Sequence, residues 1–411
     1  MTEALPVGTG RGLRAPGTTT MVAGGLIGGV LALVFQAVGG RVLGEEAFAP
    51  IAAIWTAFFI VASILLVPLE QYVTRETSRG RSLAEDRKVA GWVGALAVLA
   101  GAAYVYLSLD SEIFGGDSTY VVVMALLVAG YTVLFSAKGV LAGNRRFAEV
   151  GWILILEGVF RLVAGVAILA VVMEAPALAW AMVVAPLSVV FVRFWRHDRS
   201  VGDVEPVGAR RFLGAYIVGS SASQLLLAGA PLGVDFLGGS PAMFTIIFWT
   251  FTLYRAPLTL IYSLQSRILP YLVSMGEDGN DHGLRRMSLG VLGLGAVLTV
   301  AGAAAGWWIG PEVVSLIFGE SGTPARSVAM LAAGGVMAAS TAQVGGQVLV
   351  ARARTAALAA AWCLGLLVAV GVMALAGGDP DFRVAVGFAA GELAALLAVG
   401  LLITRSRPSR S

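Results

Sequence analysis

Apolar runs of about 20 residues recur along the whole chain, parted by short stretches that hold most of its charge. A helix of that length spans a hydrocarbon core about 30 Å thick. Twelve such spans can be drawn: Thr20–Leu43, Phe48–Gln71, Val89–Leu109, Thr119–Leu141, Val150–Val171, Pro176–Trp195, Phe212–Leu232, Ala242–Leu264, Met287–Ile309, Ser327–Val350, Thr355–Ala376 and Val384–Ile403. The pattern therefore predicts an all-α, polytopic membrane protein. Composition agrees, with 58% of the 411 residues hydrophobic and only 13% charged, which excludes an ordinary soluble domain. Arg11 and Arg14 precede the first run, but that run is too long for a signal-peptide core and reads as the first span.

Orientation follows from lysine and arginine. With the N-terminus placed inside, 23 of the 28 basic residues fall on the inner side or at inner span ends. Only Arg41, Arg326 and Arg383 fall on the outer side, while Arg161 and Arg255 lie within spans. Losing any one span would break this alternation, so an even number of spans with both termini cytoplasmic is expected. The same sidedness explains the basic pI of about 9.2 without nucleic acid, since the basic residues form no groove-sized patch. Cys363 is the single cysteine, and His197 and His282 are isolated, so neither a disulfide framework nor a metal site is expected.

The stretch Arg196–Arg211, with Gly202, Pro206 and Gly208, is the most linker-like in the chain. It divides the sequence into an N-terminal six-helix bundle (residues 1–195), a cytoplasmic linker (196–211) and a C-terminal six-helix bundle (212–411). A sparse internal repeat supports that division. At an offset of 194, Leu43-Gly44 matches Leu237-Gly238, Trp55-Thr56 matches Trp249-Thr250, and Gln71 matches Gln265. Two halves of six spans share one orientation, so an axis along the membrane normal relates them, with a cavity between. The counterpart of Arg255 is Val61. A charge present in one half alone points to function.

Charges inside spans are costly, about 2.5–3.5 kcal/mol for an arginine at the centre on insertion scales, so each needs a partner, water or a ligand. Arg255 is the first candidate, either as an anion-binding group in the central cavity or as one half of a bundle-stabilising ion pair. Glu157 and Arg161 stand four residues apart with the acid first, the favourable spacing for a pair on one helix face. Their roles divide between substrate contact and mutual neutralisation. Glu392 has no partner in its own span: it either pairs with Arg255 or serves as a proton or cation coupling site. Glu70 and Lys138 sit near inner span ends, where a structural role suffices.

Three segments, Gly40-Arg41-Val42-Leu43-Gly44-Glu45-Glu46-Ala47-Phe48, Gly139-Val140-Leu141-Ala142-Gly143-Asn144-Arg145-Arg146-Phe147 leading into Glu157 and Arg161, and Tyr254-Arg255-Ala256-Pro257-Leu258 with Leu269-Pro270 downstream, resemble polysaccharide exporters. These are the O-antigen and teichoic-acid type flippases of the multidrug/oligosaccharidyl-lipid/polysaccharide (MOP) superfamily. The resemblance implies a V-shaped pair of six-helix bundles in a bacterial cytoplasmic membrane. It implies transport of a polyprenyl-(pyro)phosphate-linked oligosaccharide to the outer face by alternating access, for cell-envelope polysaccharide biosynthesis. Arg255 and Arg161 would then bind the headgroup, and Glu157 and Glu392 would couple or pair charge. Implied partners are the lipid-linked glycan, membrane lipids and glycan polymerase or glycosyltransferase machinery, with H+ or Na+ as coupling ion and no other cofactor.

Related multidrug extruders carry an ion-coupling acid in the first or seventh span. Here Thr20–Leu43 and Phe212–Leu232 contain none, and Asp235 lies just beyond the seventh. An enzyme of the glycan polymerase or ligase type needs a sizeable outer loop, and every outer turn is short. The alternative reading is a small-molecule or multidrug cation antiporter of the same superfamily, for which Glu392 offers a titratable site.

Overall fold

The computed structural model describes residues 17–196, 217, 221–256, 258, 281–352 and 354–405. Most of the expected linker, most of the start of the seventh span, Pro257 and all of the eighth span beyond Leu258 lie outside them, as do Gln265 and Leu269-Pro270. Nine helices among the described residues are long and apolar enough to cross a membrane. One of these runs from Thr18 to Ser78 and holds two of the predicted spans. The chain is a polytopic, helical membrane protein.

Helix α1, Thr18–Val61, is in fact a hairpin. Gly44 breaks it with φ 80° and ψ 170°, a backbone conformation open to glycine alone. The two arms fold back together, so that the rings of Phe35 and Trp55 stack with centroids 5.9 Å apart. Gly238, the repeat counterpart of Gly44, also has positive φ, at 73°. The repeat read from sequence thus places a glycine with positive φ at both positions.

A π-helical turn, Ala62–Leu66, joins α1 to α2, Val67–Ser78. Then follow α3, Leu83–Leu107, α4, Thr119–Gly143, and α5, Phe147–Leu169. Helix α6, Ala175–Val184, tightens into a 3-10 stretch, Ala185–Phe191, where Pro186 removes an intrahelical donor. Beyond the undescribed segment, residues 221–228 are helical. They lead into α7, Ala230–Phe236, and α8, Pro241–Tyr254, whose first turn is capped by the Ser240 hydroxyl accepting from the Met243 N–H.

Helix α9, Asp281–Phe318, runs well past the predicted end at Ile309 and absorbs most of the expected outer turn. The reason is local. Pro311 cannot donate to the Trp307 carbonyl, but the Arg326 Nη1 does so at 2.9 Å while its Nη2 reaches the Glu312 carboxylate. The helix continues because a side chain replaces the missing N–H. Helices α10, Arg326–Ala351, α11, Thr355–Leu375, and α12, Pro380–Arg405, complete the described chain.

Packing separates these helices into two groups. In the first, α1 lies along α5, α4 along α2 and α3, and α6 against α5. In the second, α10 lies along α9 and α12, and α11 along α12, with α7 joining α8 and α12. The α1–α5 seam is close enough that a Cβ on Gly24 would meet the Gly151 carbonyl oxygen at 2.3 Å. Small residues permit that approach, and it turns Glu157 and Arg161 of α5 toward the second arm of α1. The groups meet mainly where α1 touches α8. Exposed Trp92, Trp152 and Trp195 lie near the arginine-rich ends of their helices and Trp307 and Trp308 near the arginine-poor end, as interfacial anchors do.

Candidate functional site

Within the first group, Tyr131 of α4 and Glu157 and Arg161 of α5 form a closed network. The Tyr131 hydroxyl donates to Glu157 Oε1 at 2.5 Å, and the Arg161 Nη2 donates to Tyr131 Oη at 2.6 Å and to Glu157 Oε1. The Arg161 guanidinium also lies over the Trp55 ring, 4.7 Å from its centroid, a cation–π contact. Arg161 is only 5% exposed. The expected Glu157–Arg161 pair therefore exists, with two aromatic partners that spacing along one helix could not reveal. It borders a cavity of about 290 Å³ whose wall includes Gly25, Gly29, Trp55 and Phe59.

The same four residues also line a second, larger cavity of about 610 Å³ between the helix groups. From the first group it takes Gln36, Thr56 and Phe59, and from the second Phe248, Thr252 and Arg255. Arg255 sits at the C-terminal cap of α8, where its Nε donates to the Phe251 carbonyl at 2.9 Å and its guanidinium lies 5.9 Å from the centre of the Phe59 ring. Among the described residues, no carboxylate lines this cavity. Apart from Gln36, Thr56 and Thr252 the rest of the described wall is apolar, and Arg255 is the charged residue on it.

Toward the arginine-poor end the cavity is shut by aromatic packing. The Trp249 ring lies parallel to Phe318, 6° between planes and 4.9 Å between centroids, and 5.6 Å from the ring of Phe48. Gly40 leaves the room for it, since a Cβ there would stand 2.3 Å from Trp249 Cζ2. Beside this stack Arg41 donates to the carbonyls of Leu316 and Ile317 at the end of α9. A cation at a helix C-terminus is favoured by the helix dipole. Phe48, Gly40 and Arg41 belong to α1, and Trp249 and Phe318 to α8 and α9, so the contact clasps one helix group to the other.

Glu392 lies apart from both cavities. It is fully buried, and neither carboxylate oxygen has a hydrogen-bond partner among the described residues. The Arg255–Glu392 pair considered above is therefore not formed. On α12 Glu392 is one turn beyond Phe388, which meets Phe251 edge to face at 4.8 Å, so it points into the second group. Asp235 belongs to α7 and does not line the larger cavity. Lys138 pairs with Glu70 at 2.9 Å and lies over the Phe135 ring. That pair holds α2 to α4, more than snorkelling alone would require.

Sequence reasoning assigns no functional role to Gln36, Thr56, Tyr131 or Trp249, although Thr56 and Trp249 mark the repeat. Gln36 did carry a signal, as an uncharged polar residue isolated in Val34-Phe35-Gln36-Ala37-Val38.

No family model matches the chain, and neither does any curated protein. Solved structures do match over nearly the whole length. One is described as the inward-facing conformation of a multidrug resistance MATE family transporter of the MOP superfamily, with a TM-score of 0.71, 13% identity, and coverage of 96% of this chain and 95% of that one. An outward-facing MATE family structure has a TM-score of 0.62, 15% identity and 94% coverage of each chain. A MOP superfamily transporter from Pyrococcus furiosus, described as having a binding pocket of reverse polarity that suggests a different function, has a TM-score of 0.65, 13% identity and 94% coverage of each. At such identities the likeness concerns architecture alone: the chain has the fold seen in these structures.

Proposed function

We propose that this protein is a secondary transporter that carries small amphipathic organic molecules across the membrane by alternating access. The observation that supports this reading most is the largely apolar cavity between two helix groups that are clasped at one end. Its volume of about 610 Å³ lies within the roughly 300–1,000 Å³ usual for drug-sized ligands. Likeness to multidrug resistance transporters favours this small-molecule reading over glycan flipping. The wall's charge refines it. A guanidinium on the wall favours an acidic group on the substrate over a cationic one.

In the proposed cycle, substrate enters from the arginine-rich end, taken as cytoplasmic in a bacterial plasma membrane. Residues 1–195 and 212–411 then rock against each other. Closing the entry while parting Trp249 from Phe48 and Arg41 from α9 exposes the cavity to the opposite side. Glu392, which has no hydrogen-bond partner among the described residues, is the group proposed to take up the coupling H+ or Na+. Arg161, engaged by Glu157 and Tyr131, supports the wall through Trp55.

Reconstituted protein tests this with three probes: biphenyl-3-carboxylate, ethidium, and a fluorescent polyprenyl-pyrophosphate disaccharide. Biphenyl-3-carboxylate should be exchanged across the bilayer, and Arg255→Ala should lower that flux at least tenfold at equal reconstitution. Exchange of ethidium alone would overturn the charge assignment. A second reading, the lipid-linked oligosaccharide flippase, is favoured by Arg255 itself, which suits a pyrophosphate. Arg255-dependent flipping of the disaccharide without carboxylate exchange would establish that reading instead.

A further inference from the structure

Two polar atoms on the larger cavity's wall are left without partners. The Gln36 side-chain oxygen and the Thr56 hydroxyl both line it, both residues are buried, at 1% and 4% exposure, and neither atom has a hydrogen bond among the described residues. Such a group is costly when it is buried with no bond made. Thr56 is also out of character for its setting. Thr132, Ser136, Thr245, Thr250, Thr299, Ser340 and Thr341 all donate to the carbonyl four residues back, the ordinary resting place of a helix hydroxyl. Thr56 makes no such bond.

Both atoms border the same cavity from facing arms of the hairpin, each in the residue that follows a member of the stacked Phe35–Trp55 pair. Arg255 lies farther along, because its guanidinium rests against Phe59, three residues beyond Thr56 on the same helix. At 1.5 Å per residue that is a displacement of about 4.5 Å toward the arginine-rich end.

We infer that Gln36 and Thr56 form a specificity subsite that reads a hydroxyl or N–H donor on the substrate, about one helical turn from the acidic group held by Arg255. The inference rests on the proposed transport of acidic amphipathic molecules and narrows their class to hydroxylated or amide-bearing anions. A donor there pairs with the Gln36 carbonyl oxygen, and the Thr56 hydroxyl can give or accept the second bond. A substrate lacking the donor leaves both atoms unpaired and is disfavoured for that reason.

The test compares biphenyl-3-carboxylate with 5-hydroxybiphenyl-3-carboxylate, a rigid pair whose hydroxyl stands meta to the carboxylate. Binding is measured by titration calorimetry on the full chain in lipid nanodiscs. Wild type should bind the hydroxylated acid about tenfold more tightly, the worth of one net hydrogen bond. In Gln36→Leu and in the near-isosteric Thr56→Val, the ratio of the two dissociation constants should fall toward one, while thermal unfolding shows that each variant is folded. Equal binding of the two acids by wild type, or a preference that survives both substitutions, overturns the subsite and leaves the transport proposal standing. Binding of neither acid overturns both.

Discussion

Trp55-Thr56 and Trp249-Thr250 are the same dipeptide at the same place in two repeated spans, each pair 11 residues after a glycine with positive φ. Their surroundings differ in every respect that bears on function. Trp55 faces the cavity system and carries the Arg161 guanidinium on its ring, while Trp249 is completely buried between Phe48 and Phe318. The Thr56 hydroxyl is left to the cavity, whereas Thr250 donates to the Ile246 carbonyl at 2.7 Å. One copy lines the cavity, and the other packs where the two helix groups meet. Duplication supplies two equivalent positions, and the cavity between them needs only one lined with polar groups.

The largest expected effect falls on the closing copy. Trp249→Ala removes a fully packed aromatic and should cost about 3–5 kcal/mol, read as a lowered unfolding temperature. Trp55→Ala, at a half-buried cavity wall, should cost clearly less. Comparable losses would erase the distinction between the two positions. Glu157→Gln should destabilise by about 3 kcal/mol because Arg161 is left charged and buried with a weaker partner. Glu392→Gln should have the opposite sign, neutral or stabilising, since it replaces a buried carboxyl that has no partner, and it should abolish transport driven by an ion gradient while sparing substrate exchange. A strongly destabilised Glu392→Gln would mark that residue as structural. Thr250→Val should cost about 1 kcal/mol through its lost helix hydrogen bond. Thr56→Val should leave the unfolding temperature unchanged or raise it, since the buried hydroxyl has no bond to lose among the described residues.

Much of this organisation is legible in the sequence. Span spacing follows from the order of apolar and charged residues along the chain, and the Trp-Thr repeat carries with it a glycine that has positive φ at both positions. The Glu157–Arg161 pair follows from helical periodicity alone. Tyr131 does not, because it comes from another helix, 26 residues from Glu157. The continuation of α9 past Pro311 depends on Arg326 reaching back to Trp307, a contact with no local signature. Pairing Arg255 with Glu392 satisfied charge balance in one dimension. In three dimensions the first lines the cavity and the second lies within the packed helices of its own group, so balance there gives way to separation.

The central claim is that ligand held beside Gln36, Thr56 and Arg255 controls closure at Trp249. The most direct test is the distance between spin labels at Glu46 and Glu320, exposed residues on either side of the clasp, measured by pulsed electron paramagnetic resonance in nanodiscs. The account predicts one dominant short distance in the ligand-free protein. A second, longer distance should grow when 5-hydroxybiphenyl-3-carboxylate is added, and Gly40→Leu, which wedges against Trp249, should favour it without ligand. A single distance that neither the acid nor the wedge alters would contradict the account.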